Sequence, residues 1–241
     1  WESPWGFGRP GWHLECSAMS EKTLGLPFDI HSGGSDLIFP HHENEIAQTC
    51  AAHDSVNNLH AFAKYWFHNG FVNVEGEKMS KSIGNIRLVN ELIKEYKGEV
   101  LRLTLLSAHY KQPLNWTKKI IDQNNKMLDR FYRTLKELEN IDAYKYNNKI
   151  EDSIIDGLYN DLNTPKVIAK LNIMTNQTST ADVETKSRIK YNLLEIGKII
   201  GILQNDPNIW LGYEKPLNLE KTNIERLIKE RNEARGNKNF D

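Results

Sequence analysis

Residues 41–45, HHENE, put two imidazoles and two carboxylates within five positions, directly after Pro40. Residues four apart on a helix share a face, so His41 and Glu45 can converge on one point. Holding a metal ion at about 2 Å with one nitrogen and one oxygen needs that convergence. His42 has Ile46 at the same offset, and pairing it with Glu45, three apart, is a second geometric option. Cys16 would contribute a thiolate, a softer donor that suits zinc. His13, three positions before it, is a further donor of the right type, and His31 reads as a satisfied strand histidine. The ordinary alternative is a His/Glu contact on a solvated helix start, and spacing alone leaves both readings open.

A second cluster is EGEKMSKSIGN, residues 75–85, a polar segment flanked by glycine with Lys78 and Lys81 separated by a methionine and a serine. Two ammonium groups on a loop at the carboxyl edge of a sheet would neutralise charge developing on phosphate oxygens. A charged surface turn is the competing reading. Gly33, Gly34 and Asp36 form a third cluster, with glycines for close backbone approach to a nucleotide and a carboxylate for a ribose hydroxyl. Here the competing reading is a plain strand-to-helix turn.

These residues need elements to position them. GWHLECSAMSEKTLG reads as a short helix with Trp12, Cys16 and Met19 on one face and Gly25 as its C-terminal cap. LPFDIHSGG reads as a strand, a helix follows Pro40 towards His53, and YWFHNGFVNV reads as a second strand before the lysine loop. Strand, helix and strand at this spacing predict a βαβ unit in a parallel sheet. From Leu88 onward the periodicity is helical, with no alternating segment. Its stripes are Ile121, Leu128, Phe131, Leu135 and Leu138, then Ile150, Ile154, Leu158 and Leu162, then Ile189, Leu193, Ile196, Ile200 and Leu203. Asn163, Thr164 and Pro165 mark a helix start with a hydroxyl cap. QNDPNIWLGYEKPLN reads as a connection, with a last amphipathic helix from Thr222.

The 241 residues are 39% hydrophobic, enough for one sizeable domain or two smaller ones. Thirty-one basic and 32 acidic residues leave a formal net charge of −1, so bulk charge does not argue for a nucleic-acid partner. Two cysteines are too few for a disulfide framework; Cys50 reads as a core residue, and a reducing, cytoplasmic location is expected. No membrane-spanning run or secretory signal is visible. The start at Trp1 and the end in a polar helical segment are read as the limits of a piece of a longer chain.

GWHLECSAM, FDIHSGGSDLIFPHHENEIAQ and GEKMSKSIGN, in this order and spacing, resemble the cysteinyl-tRNA synthetase family. KMSKS at 78–82 is similar to the signature loop of class I aminoacyl-tRNA synthetases. GEVLRLTLLSAHYKQPLNW and LIKERNEARGNKNF extend the similarity, which is thinnest between residues 140 and 220. The resemblance implies an α/β then all-α architecture, the second half of a Rossmann-like nucleotide-binding domain followed by a helical tRNA-binding bundle. The expected division is 1–87 for the catalytic half, 88–116 for a stem-contact region and 117–241 for the anticodon-binding region.

By motif position the resemblance puts three ligands of the family's zinc on Cys16, His41 and Glu45. The remaining cysteine and the His-Ile-Gly-His motif are expected upstream of these residues. It also implies that Lys81, supported by Lys78, contacts the triphosphate of ATP, with Mg2+ accompanying the nucleotide and Gly33 and Asp36 near it. The implied reaction activates L-cysteine to cysteinyl-adenylate and transfers it to tRNA(Cys), with zinc reading the substrate thiol and the enzyme a monomer. Arg130, Arg133 and Lys136 on one long helix are candidates to face phosphate, against the plainer reading of a solvated face. Two alternatives share these motifs: the cysteine ligase of mycothiol biosynthesis, and a non-catalytic tRNA-binding protein built from synthetase parts.

Overall fold

The computed structural model describes residues 1–54, 58, 60–213 and 221–236. Contacts divide the chain into two compact units, residues 1–122 with 156–167, and residues 123–155 with 168–241.

The first unit opens with a two-stranded antiparallel hairpin, β1 (Glu2–Ser3) and β2 (Gly6–Phe7). Helix α1 (Trp12–Leu24) ends where Gly25 takes φ 75° and donates its N–H to the Glu21 carbonyl. Trp12 and Met19 on the predicted face are 70% and 60% exposed, so that face is not a core stripe. Strand β3 (Phe28–Gly34) leads through a turn at Ser35–Leu37 into α2 (Glu43–Ala52). Phe39 has extended backbone, φ −132° and ψ 132°, so regular helix begins only after it, as the proline predicts. Strand β4 (Ala63–Asn69) then pairs in parallel with β3, with Phe28 opposite Ala63 and His31 opposite Trp66. Phe28, Phe62 and Ala63 form a small core with Leu26, Ile46 and Trp66 against it, closing the expected βαβ unit.

The stretch predicted as one strand from Tyr65 to Val74 is in fact two. It breaks at Gly70, where an added Cβ would lie 2.5 Å from the Gln112 carbonyl oxygen, so the chain passes too close to its neighbour for any other residue. Beyond it, β5 (Val72–Val74) joins a separate sheet, antiparallel to β6 (Glu77–Lys78) and parallel to β7 (Leu114–Trp116). The periodicity reading placed no strand after Leu88. At three residues, β7 is too short to show an alternation. Helices α3 (Val89–Glu95) and α4 (Gly98–Leu106) lie between β6 and β7.

Helix α5 (Lys118–Glu137) carries buried Ile121, then Leu128, Phe131 and Leu135 at helical spacing, with Leu138 buried one residue past its end. In the second unit Ile189, Leu193, Ile196 and Ile200 of α8 (Val183–Ile200) are buried as predicted. Between them lie α6 (Asp152–Tyr159) and α7 (Thr164–Asn176). Leu162 leaves its expected stripe, because α6 ends at Tyr159 and Asp161 and Leu162 both take positive φ in the turn that follows. The start of α7 is also built differently: the Asn163 side chain caps Lys166 N–H, while the Thr164 hydroxyl donates to the Leu106 carbonyl. The connection after α8 contains a short helix, α9 (Pro207–Leu211), capped by Asp206. Helix α10 (Lys221–Gly236) covers the predicted last helix.

Candidate metal centre and lysine loop

Three elements meet around Glu45. Helix α1 supplies Cys16, the entry to α2 supplies His41, α2 itself supplies Glu45, and one donor atom from each lies within 4.8 Å of the others. Ser17 ties the two helices together, its hydroxyl donating to Gln48 Oε1 at 3.1 Å. Trp12 packs its ring on that of His41, centroids 4.7 Å apart.

Glu45 is fully buried, and a carboxylate in that position needs compensating charge or directed hydrogen bonds. His41 Nε2 stands 2.9 Å from Oε1 and His31 Nε2 stands 2.8 Å from Oε2. Neither carboxylate oxygen, however, has an aligned hydrogen-bond partner, and His31 Nε2 and His41 Nδ1 have none either. Buried donor atoms crowded together without aligned hydrogen bonds are what a shared cation would account for. A thiol, an imidazole and a carboxylate are also the donor types zinc takes, so the residues fit such an ion. Burial first, then the charge of Glu45, pushes the Cys16 thiol above its ordinary range. A divalent cation beside it would reverse that balance.

The spacing argument left His42 as a rival of His41. His42 instead belongs to a second group with His31 and Glu45, and its Nδ1 is 2.8 Å from His68 Nε2 on β4. Burial, then the neighbouring imidazoles, lowers His42 to a pKa of about 4, so it is neutral at physiological pH. Sequence reading took His31 for a satisfied strand histidine, whereas its Nε2 has no hydrogen-bond partner, and it did not single out His68. The two lie 10 and 27 positions from His41 in the chain, and only strand pairing brings them to the site.

Gly33 and Gly34 close β3, and the local packing accounts for both. A Cβ on Gly33 would lie 2.8 Å from the His42 ring, and one on Gly34 would run into the Asp36 carboxylate. Asp36 is exposed beside them.

The lysine loop is built from its own side chains. Asn85 Oδ1 accepts from Ser80 N–H at 2.9 Å, its amide donates to the Lys78 carbonyl, and Gly84 turns the chain at φ 73°. Lys78 and Lys81 are both exposed, Lys78 with its Nζ 4.4 Å above the Phe71 ring. The loop leaves the β6-β5-β7 sheet, whereas the triad sits beside the β3-β4 pair.

On α5, Arg130 is hydrogen-bonded to Asn172, Lys136 is paired with Glu139, and Arg133 is exposed. Cys50 is buried, with its thiol 3.5 Å from the Asn58 carbonyl, as expected of a core cysteine.

The family profile described as tRNA synthetases class I (C) catalytic domain matches residues 1–126. The chain belongs to that family. Among similar proteins, the cysteine–tRNA ligase of Parvibaculum lavamentivorans is 47% identical over 242 residues, covering all of this chain and 51% of the relative. That of Maricaulis maris is likewise 47% identical, over the same shares. The chain thus spans about half the length of the curated relatives it matches. Among solved structures, LeuRS of Agrobacterium radiobacter K84, in a ternary complex with tRNA and LeuAMS, aligns with a TM-score of 0.61 at 17% identity. The alignment covers 78% of this chain and 28% of that one, a likeness of fold. This class I synthetase chain has a partial parallel sheet followed by helices, and none of its described helices is long and apolar enough to cross a membrane.

Proposed function

We propose that this chain is the part of a cysteine–tRNA ligase that reads the substrate thiol and carries the lysine loop. The observation that carries the proposal is the meeting of Cys16, His41 and Glu45 in a chain 47% identical to such ligases. In the proposed reaction the carboxylate of L-cysteine attacks the α-phosphorus of ATP and pyrophosphate leaves. The terminal ribose hydroxyl of tRNA(Cys) then attacks the adenylate carbonyl, and AMP leaves.

Cys16, His41 and Glu45 would hold a zinc ion, fixed from α1 and α2 so that the substrate side of the site stays open. Such an ion supplies a soft acceptor that takes a thiolate far better than the hydroxyl of serine, so discrimination needs no editing step. Lys81 steadies the phosphate oxygens as charge moves onto pyrophosphate, and Lys78 supports it from the same loop. Magnesium accompanies the nucleotide. Gly33 presents its backbone at the end of β3 with the His42 ring packed against it, and Asp36 faces the ribose hydroxyls. Arg133 is a candidate for phosphate contact in the helical region. The protein acts in the cytoplasm as a monomer.

The test is cysteine-dependent ATP–pyrophosphate exchange by the complete natural protein, followed by transfer of labelled cysteine to tRNA. Both activities are expected. Exchange without transfer to tRNA would point instead to a ligase for another amine or hydroxyl acceptor, and absence of exchange would overturn the enzyme reading.

A further inference from the structure

Glu45 is approached from two sides, His41 at Oε1 and His31 at Oε2, so its carboxylate is shared by two groups of donors. One group contains a thiol, Cys16 with His41; the other contains only imidazoles, His31 with His42. The carboxylate torsion of glutamate is intrinsically soft, so nothing in Glu45 itself decides which way its oxygens face. An outside group must decide it.

His31 is built for that task. It stands on β3 directly opposite Trp66 of β4, and its ring is edge-on to four others. The centroids lie 5.6 Å away for Phe28, 5.3 Å for Phe62, 5.0 Å for Trp66 and 4.7 Å for His42. The ring cannot swing without displacing these neighbours, and its buried Nε2 has no aligned hydrogen-bond partner while standing 2.8 Å from Glu45 Oε2. His42, for its part, is tied through Nδ1 to His68 on β4.

We propose that His31 is a positioning residue for the metal centre: standing 2.8 Å from Glu45 Oε2, its Nε2–H would donate to that oxygen once a cation holds Oε1, and so keep Oε1 turned towards Cys16 and His41. By occupying the far oxygen it directs a single cation to the group containing the thiolate. This rests on the reading that Cys16, His41 and Glu45 bind zinc. Groups that orient a ligand in this way typically change metal affinity by 10–100-fold when removed.

The test uses the complete natural protein with Zn2+ and, as a spectroscopic probe, Co2+. His31→Phe keeps an aromatic ring in the packing and removes Nε2, whereas His31→Gln offers an amide donor again. Wild type should bind one ion per chain with a thiolate-to-cobalt absorption band. His31→Phe should bind zinc about 10–100-fold more weakly and shift the cobalt d–d bands while keeping the thiolate band. His31→Gln should recover part of the affinity. If His31→Phe fails to fold, His31→Leu against His31→Gln carries the same comparison. Unchanged affinity and spectrum in His31→Phe would overturn the proposal while leaving the zinc reading intact. So would loss of binding in His31→Phe with binding kept in Cys16→Ala, because His31 would then be a ligand. A wild-type protein that binds neither metal would overturn both the zinc reading and the role of His31.

Discussion

The two chemical regions of the first unit are built on opposite principles. The triad is made by the fold: its residues come from two helices, stand against a parallel strand pair, and include a carboxylate with no solvent exposure. The lysine loop is made by its own sequence, with Ser80, Asn85 and Gly84 bending the chain after β6 into a turn, and Lys78, on β6, and Lys81 both exposed. Substitutions in the first should therefore affect stability and ligand binding together. Substitutions in the second should affect chemistry alone.

Lys81→Ala gives the sharpest form of that contrast. Removing one group that stabilises charge in a transition state typically costs about 10²–10³ in rate. Pyrophosphate exchange should fall by that order while the melting temperature stays within a degree of wild type. A large loss of stability would show that the loop is part of the folded core after all.

Gly33→Ala probes the other region. The new methyl meets the His42 ring at 2.8 Å, and forcing extra atoms into packed surroundings costs about 1–3 kcal/mol. Urea unfolding should show that loss, with the midpoint shifted and the slope unchanged. A neutral result would mean that the histidine moves aside freely.

The smallest expected effect lies outside both regions. The Asp161 carboxyl is held below its ordinary range by hydrogen bonds from Lys111 and from Tyr110. A depressed carboxylate stabilises the fold above the ordinary aspartate pKa and loses that contribution as pH falls through its folded value. In Asp161→Asn stability near neutrality should therefore fall slightly, the acid limb of the stability–pH curve should flatten, and the two curves should converge at low pH. Curves that coincide near pH 7 would mean that the pairing of Asp161 with Lys111 and Tyr110 contributes nothing to the fold.

How far the sequence could be read depended on whether a feature was local. The pairing of His41 with Glu45 was legible because helical spacing alone puts them on one face, and the stripe Ile189, Leu193, Ile196 was legible for the same reason. The Gly25 cap was legible from its position after the last periodic residue. The contacts of His31 and His68 were not, because they depend on the register between β3 and β4, which no short window contains. The break at Gly70 was hidden in an unbroken run of strand-forming residues, since its cause is a carbonyl more than 40 positions away. The turn at Asp161 and Leu162 was hidden by a leucine that kept the apolar period after the helix had ended.

Zinc content of the complete natural protein, measured by elemental analysis beside Cys16→Ala, bears most directly on the convergence of Cys16, His41 and Glu45. One zinc per chain in the wild type and a substoichiometric amount in the variant is the predicted result. A wild type without zinc, or a variant that retains it fully, would contradict the account.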